Sequence, residues 1–184
     1  MKLVRPAFKH LISYKAALEQ GWSSDTVRVL ETPREELAKI ADDPFGFIDA
    51  MDDIAAKGAP ITLPDGSQVP RLPGFRRWMW DGDFCGSIGL RWQFGTSALP
   101  PHCLGHIGYS VVPWKQKRGY ATQALKGMLA EAKAVGLEHV DITTKPDNAP
   151  SQKVITANGG VLVERFREEP AYGGKEALRF RIVL

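Results

Sequence analysis

Residues Val111 to Thr122, VVPWKQKRGYAT, pass from a β-rich apolar stretch through a basic loop into small, helix-forming residues. That order predicts a strand end, a polar loop and a helix start. The first turn of a helix holds N–H groups without intrahelical partners, and the helix dipole adds partial positive charge beside them. Phosphate binding is the chemistry such a junction suits. Gly119 lets the backbone approach a ligand, small Ala121 keeps the approach clear, and Lys117 and Arg118 add positive charge. Neither the Gly-x-Gly-x-x-Gly of a dinucleotide site nor the Gly-Lys-Ser/Thr of a triphosphate loop is present in this segment. Taken alone, it also fits a basic loop leading into an ordinary core helix.

The elements around this segment follow from turn residues and periodicity. Ala121, Ala124, Leu125, Met128, Leu129 and Ala132 recur at helical spacing and predict a helix with one buried stripe, ended by Gly136. Ahead of it, Phe75 to Trp80 and Phe84 to Trp92 flank Asp81-Gly82, a two-residue hairpin signal, and a strand is expected from about His106 to Val112. Behind it come a short strand at Val140 and Ile142, a helix from Ala149 to Asn158 closed by Gly159-Gly160, and strands at Val161–Phe166 and Ala177–Leu184. Alternating strands and helices from His106 to Phe166 imply parallel neighbours joined by crossovers, flanked by antiparallel strands.

The front third reads as helical. A short strand at Lys2–Pro6 precedes a helix from Phe8 to Glu19 closed by Gly21. Thr32-Pro33-Arg34-Glu35 reads as a capping box, and Asp43-Pro44 as a second helix start with a helix running to about Lys57. Four prolines between Ala59 and Gly74 mark a surface crossing rather than a domain linker.

Composition sets the limits. A chain of 184 residues, 43% hydrophobic and 24% charged, suits one globular domain spanning 1–184, with 1–74 mainly helical and 75–184 carrying the sheet. The net charge of +3 is dispersed rather than gathered into a stripe, which argues against nucleic acid as a partner. Two cysteines, Cys85 and Cys103, form neither a disulfide framework nor a zinc spacing, so a reducing cytoplasm is the expected compartment and no metal is expected. No apolar run approaches the ~20 residues that cross a bilayer, and no membrane partner is expected.

With those elements in place, Gln116-x-x-Gly119-x-Ala121, after a strand and before an amphipathic helix, resembles the Gln/Arg-x-x-Gly-x-Gly/Ala motif of the GCN5-related N-acetyltransferase (GNAT) family. Asp147-Asn148-Ala149-Pro150-Ser151 through Val154, Asn158 and Gly159-Gly160 resembles that family's Asn-x-x-Ser/Ala…Gly-Phe segment. The likeness covers roughly Phe84 to Phe166, and Gly105-His106-Ile107-Gly108-Tyr109 is most similar to family members without an assigned substrate, and next to ribosomal-protein acetyltransferases.

The resemblance implies an α/β fold with a mixed, splayed sheet of about six to seven strands flanked by helices. It further implies acetyl-coenzyme A as acetyl donor, an amine acceptor that is a small molecule or a peptide, direct attack in a ternary complex, and compatibility with a homodimer. By carry-over, Gln116, Lys117, Arg118, Gly119, Tyr120, Ala121 and Thr122 would hold the pyrophosphate. Val111 and Asn148 would flank the pantetheine arm, and the amide near Tyr109 or Ser110 would polarise the thioester carbonyl. The family's general-acid tyrosine position holds Ile155, which leaves Ser151 as the candidate to bond the leaving sulfur, and also as an ordinary first-turn helix residue. The usual base position holds Gly105, which leaves His106, with Tyr109, water or a carboxylate of the front third as alternatives. Ile155 and Gly105 also fit a rival, a coenzyme A-binding regulatory module without chemistry. An isoelectric point of about 8.9 fits a second rival, a nucleic-acid binder. Trp78, Trp80 and Trp92 could form a stacking platform but fit a core better; Cys103 is a weak nucleophile candidate; Arg165 to Glu169 reads as a solvated strand end.

Overall fold

The structure is a computed structural model that describes residues 1–25, 28–63, 65–168 and 174–184; Pro64 and Glu169, which the sequence reading included, lie outside the described residues. In chain order, β1 (Lys2–Val4) leads through a 3-10 turn to α1 (Leu11–Glu19), α2 (Glu31–Asp42), α3 (Pro44–Asp49) and β2 (Asp52–Asp53). A two-residue ladder, β3 (Ile61–Thr62) with β4 (Gln68–Val69), interrupts the proline-rich crossing. Then come β5 (Gly74–Trp80), β6 (Phe84–Arg91), β7 (Ile107–Val111), α4 (Tyr120–Ala134), β8 (His139–Thr144), α5 (Ala149–Thr156), β9 (Val161–Arg167) and β10 (Glu176–Val183).

These strands form two main sheets. The first has the order β1-β5-β6-β7, with β2 also pairing β5, so the helical front third contributes two strands to the central sheet. The second has the order β8-β10-β9. The expected parallel neighbours β8 and β9 are corrected here: β10 lies between them, and the assigned strand pairings are antiparallel. The C-terminal strand inserts because its alternating Leu178, Phe180 and Ile182 are buried, as is Ala177, whereas β9 is exposed over most of its length and suits an edge.

One apolar cluster holds the two sheets together. Ala124, Leu125, Met128 and Ala132 of α4 join Ile88, Leu90 and Ile107 of the first sheet and Val140, Ile142, Phe180 and Ile182 of the second. Burying that stripe from both sheets stabilises the helix far more than its intrinsic propensity. A second cluster packs Leu11, Tyr14, Leu18, Trp22 and Ile40 against Trp78, Phe84 and Val112. Tyr14 stacks on Trp78 at 4.4 Å, and Trp78 and Trp92 are buried, so these aromatics are core and do not form a stacking platform.

One helix start and one helix end differ from expectation. Thr32 is not a cap: α2 begins at Glu31, because Thr32 N–H already donates to the Arg28 carbonyl, and Pro33 falls in the first turn, where its missing N–H costs nothing. Asp43 caps α3 by accepting from Gly46 N–H, but the helix stops at Asp49 rather than near Lys57, since Asp52–Asp53 pairs with β5.

Strand β6 carries an extra residue where Met79 faces Gly86 and Trp80 faces Phe84. Gly86 sits at φ 150°, and a Cβ there would lie 2.3 Å from the Ser110 carbonyl oxygen on β7. Gly86→Ala is therefore expected to destabilise the fold by roughly 2 kcal/mol, the scale of a forced backbone outlier, as measured by urea denaturation.

Candidate active site

The register of β6 and β7 decides which amides face the space between the two sheets. Val112 N–H donates to the Cys85 carbonyl and Arg91 N–H to the His106 carbonyl, so residues of even number on β7 are bonded to β6. By alternation, the N–H and C=O groups of Ile107, Tyr109 and Val111 point the other way, toward β8. Of the two amides considered, that of Tyr109 is directed away from β6 and that of Ser110 is bonded to it. The Gln116 side chain donates to the Val111 carbonyl at 3.4 Å, tying the loop to the strand end.

At the base of this space the sheets are riveted rather than laddered. His106 N–H donates to the Asp141 carbonyl (2.7 Å), and Asp141 N–H donates to His106 Nδ1 (2.9 Å). The Asp141 carboxylate in turn accepts two bonds from Arg181. His106 is fully buried, and burial pushes its pKa down to about 4. This corrects the candidate base: an enclosed imidazole with Nδ1 already accepting a bond cannot take a proton from an amine in the cleft. Gly105 is buried against β8, where a Cβ would lie 3.1 Å from the Asp141 carbonyl, so a carboxylate does not fit there. Glu36, a buried carboxylate of the front third, accepts from Tyr14, Ser24 and Arg76, so both oxygens are engaged by structural partners.

Beyond the rivet the sheets diverge, and α4 starts at the open end. Gly119 takes φ 74°, a left-handed conformation that favours glycine, and no atom lies within 4 Å of where its Cβ would stand. Its role is backbone conformation in open space. No side chain caps the helix, and the first intrahelical bond runs from Gln123 N–H to the Gly119 carbonyl, leaving the N–H groups of Tyr120, Ala121 and Thr122 without intrahelical partners. Lys117 and Arg118 beside them are exposed.

The head of α5 lies across the space. Asn148 Oδ1 caps it by accepting from Ser151 N–H at 3.1 Å, and Asn158 Nδ2 donates to the Thr122 carbonyl on α4. Tyr109 Oη lies 2.9 Å from Ser151 Oγ, joining β7 to α5. Burial raises the Tyr109 pKa, so the phenol stays protonated at neutral pH. Ile155 is fully buried core. Cys103 is buried, with its thiol donating to the Gly105 carbonyl, and is no exposed nucleophile. The structure thus links Tyr109 to Ser151, Gln116 to Val111, Asn148 to Ser151 and, through Asn158, α5 to Thr122 of α4, while His106 is held apart from them in the rivet to β8.

Sequence reasoning missed Asp81. In the β5–β6 turn, its carboxylate accepts from Lys115 Nζ at 2.6 Å and from Tyr120 Oη at 2.7 Å, strapping both sides of the loop before α4. The Lys115 ammonium, with Tyr120, holds the Asp81 carboxyl far below the usual carboxylate range. An Asp before Gly reads as a turn residue, and nothing in the sequence marks partners more than 30 residues away. Asp81→Asn is expected to raise KM for the acetyl donor about fivefold, about 1 kcal/mol, with kcat nearly unchanged; a fall in kcat at constant KM would contradict this positioning role.

The sequence model of the acetyltransferase (GNAT) domain matches residues 65–161, over half of the chain. The chain therefore belongs to the GNAT acetyltransferase family and is an acyltransferase whose acetyl donor is acetyl-coenzyme A. No curated protein matches it significantly. Among solved structures, the GNAT-family acetyltransferase of Bacillus anthracis shares the fold with TM-score 0.61 and 18% identity, over 98% of this chain and 93% of that one. RimJ of Mycobacterium smegmatis, in complex with a coenzyme A disulfide, matches with TM-score 0.65 and 18% identity, over 98% and 80%. RimL, a ribosomal-protein alpha-N-acetyltransferase in complex with coenzyme A, matches with TM-score 0.61 and 12% identity, over 99% and 93%. Among the described residues, no helix is long and apolar enough to cross a membrane.

Proposed function

We propose that this chain is one domain that transfers the acetyl group of acetyl-coenzyme A to a primary amine, by direct attack in a ternary complex. The observation that carries this reading is the uncapped head of α4 opening beside a β7 edge with unlatticed amides. The residues fit the donor: Tyr120, Ala121 and Thr122 amides with Lys117 and Arg118 suit the diphosphate, while the Val111 edge and Asn148 suit the pantetheine arm. When bound, the thioester supplies the electrophilic carbonyl.

The amide of Tyr109, directed away from β6, would stabilise the negative charge that develops on that carbonyl oxygen without reorganisation. As the new C–N bond forms and the C–S bond breaks, the amine loses its proton to water, since no carboxylate occupies the Gly105 position. Either hydroxyl of the Tyr109–Ser151 pair can donate to the other; with the phenol as donor, the Ser151 hydroxyl is free to donate to the departing sulfur. Ser151→Ala is expected to lower kcat about tenfold while leaving KM for the donor near its original value. That is less than the loss of a true general acid, because the phenol remains.

The acceptor would approach over the front third, which is tied to β7 by the Trp22 Nε1 bond to Ser110 Oγ. It is a small amine or a peptide amine, and the exposed Lys117 and Arg118 suit the donor's diphosphate. The buried Ile155 favours one rival, a module that binds coenzyme A without chemistry. Thiol release from acetyl-coenzyme A, followed across an amine and peptide library, separates them: release above the hydrolysis background supports the transferase, and tight donor binding without release for any amine supports the module.

A further inference from the structure

At the opposite edge of the central sheet from β7, a cavity of about 670 Å³ is lined by Lys2, Arg5, Lys9, His10 and Trp80, with Val4 and Ala7 between them. The topology builds it. Lys2 lies opposite Trp80 in the β1–β5 ladder, and the turn after Pro6 folds the chain back so that the His10 ring sits 4.6 Å from the Trp80 ring. Directly opposed residues of an antiparallel pair share a face, so the Lys2 and Trp80 side chains project together.

Two features of this cavity are unfavourable in the protein alone. Lys2, Arg5 and Lys9 converge on it and, among the described residues, none of the lining is acidic; the Asp52 carboxylate pairs with Arg5 from outside the lining. Like charges around one concavity repel and raise the local potential for anions. His10 is 8% exposed, and its Nδ1 has no hydrogen-bond partner. Leaving a buried polar atom unpaired costs about 1–3 kcal/mol. Burial, with Lys9 adding to it, holds the imidazole below its ordinary pKa. An anion in the cavity relieves the first of these: it neutralises the lysines. A bare ion would leave most of the volume empty, and Val4, Ala7 and Trp80 offer apolar wall to an organic group. The size lies within the roughly 300–1,000 Å³ of small-molecule sites.

We propose that this cavity binds a small organic phosphate, separate from the acetyl donor. The separation follows from topology, since β1 and β7 stand three strand spacings apart, about 14 Å. The proposal does not depend on the proposed transfer reaction.

The test is calorimetry on the whole chain saturated with coenzyme A, using AMP as probe and inorganic phosphate as comparator at low salt. AMP is expected to bind, at least tenfold tighter than phosphate, and the doubly substituted Lys2→Ala, Lys9→Ala chain to lose at least tenfold in AMP affinity. Both lysines are exposed, so thermal melting should show that the variant keeps its fold. No AMP binding, equal affinity for AMP and phosphate, competition between AMP and coenzyme A, or indifference to the lysine substitutions would each overturn the proposal.

Discussion

Gly119→Glu is expected to weaken acetyl-coenzyme A binding by more than about a hundredfold. A carboxylate at the head of α4 stands within several ångströms of where the diphosphate would lie, and like charges at ~5 Å with an effective dielectric of ~20 repel by about 3 kcal/mol. The φ of 74° adds a conformational cost for any side chain, on the order of 1 kcal/mol. Charge and bulk separate cleanly here, because no atom lies within 4 Å of the added Cβ. Gly119→Asn, whose side chain tolerates the left-handed region and carries no charge, should bind the donor within about fivefold of the parent. Calorimetric titration of both variants checks this: equal, large losses in both would point to backbone distortion rather than an anion site.

Acidification is the second large effect. His106 has its folded-state pKa pushed down to about 4 from the ordinary 6.5. Between those values the unfolded chain binds the proton and the folded chain does not, so stability is intact above pH 6.5 and falls as pH drops toward 4. A gap of that size corresponds to roughly 3 kcal/mol. The Asp141 carboxyl, whose pKa Arg181 holds down against the opposing effect of burial, adds a loss of the same sign at still lower pH. Urea unfolding at pH 7 and pH 4.5 measures the difference, and imidazole NMR should find His106 neutral at pH 5. An unfolding free energy flat across this range, or a His106 resonance titrating near 6.5, would refute the rivet.

How much of this the sequence shows depends on whether a signal is local. Helix α4 is legible because its buried stripe repeats every three to four residues, and the β5–β6 turn because Asp81-Gly82 is local turn chemistry. Gly21, Gly136 and Gly159 mark helix ends because each takes a positive φ that other residues avoid. The order of the second sheet is not legible: adjacency along the chain favours β8 beside β9, and only the burial of β10 overrides it. The rivet at His106 is a bond between a side chain and a main-chain amide 35 residues away; the histidine draws notice as a titratable group, but nothing in the sequence marks Asp141 as its partner. The Asp81 strap is hidden for the same reason. Thr32 misleads because its residue type favours a cap while the preceding turn has already started the helix.

The central claim is that main-chain nitrogens at the head of α4 and on the β7 edge form the donor site. Backbone amide NMR during titration with coenzyme A tests it most directly. The account predicts the largest shifts at Lys117 to Thr122, Tyr109 and Val111, with little change at Lys2, Lys9 and His10. Shifts concentrated around the β1 cavity, with the Lys117 to Thr122 amides unmoved, would contradict it.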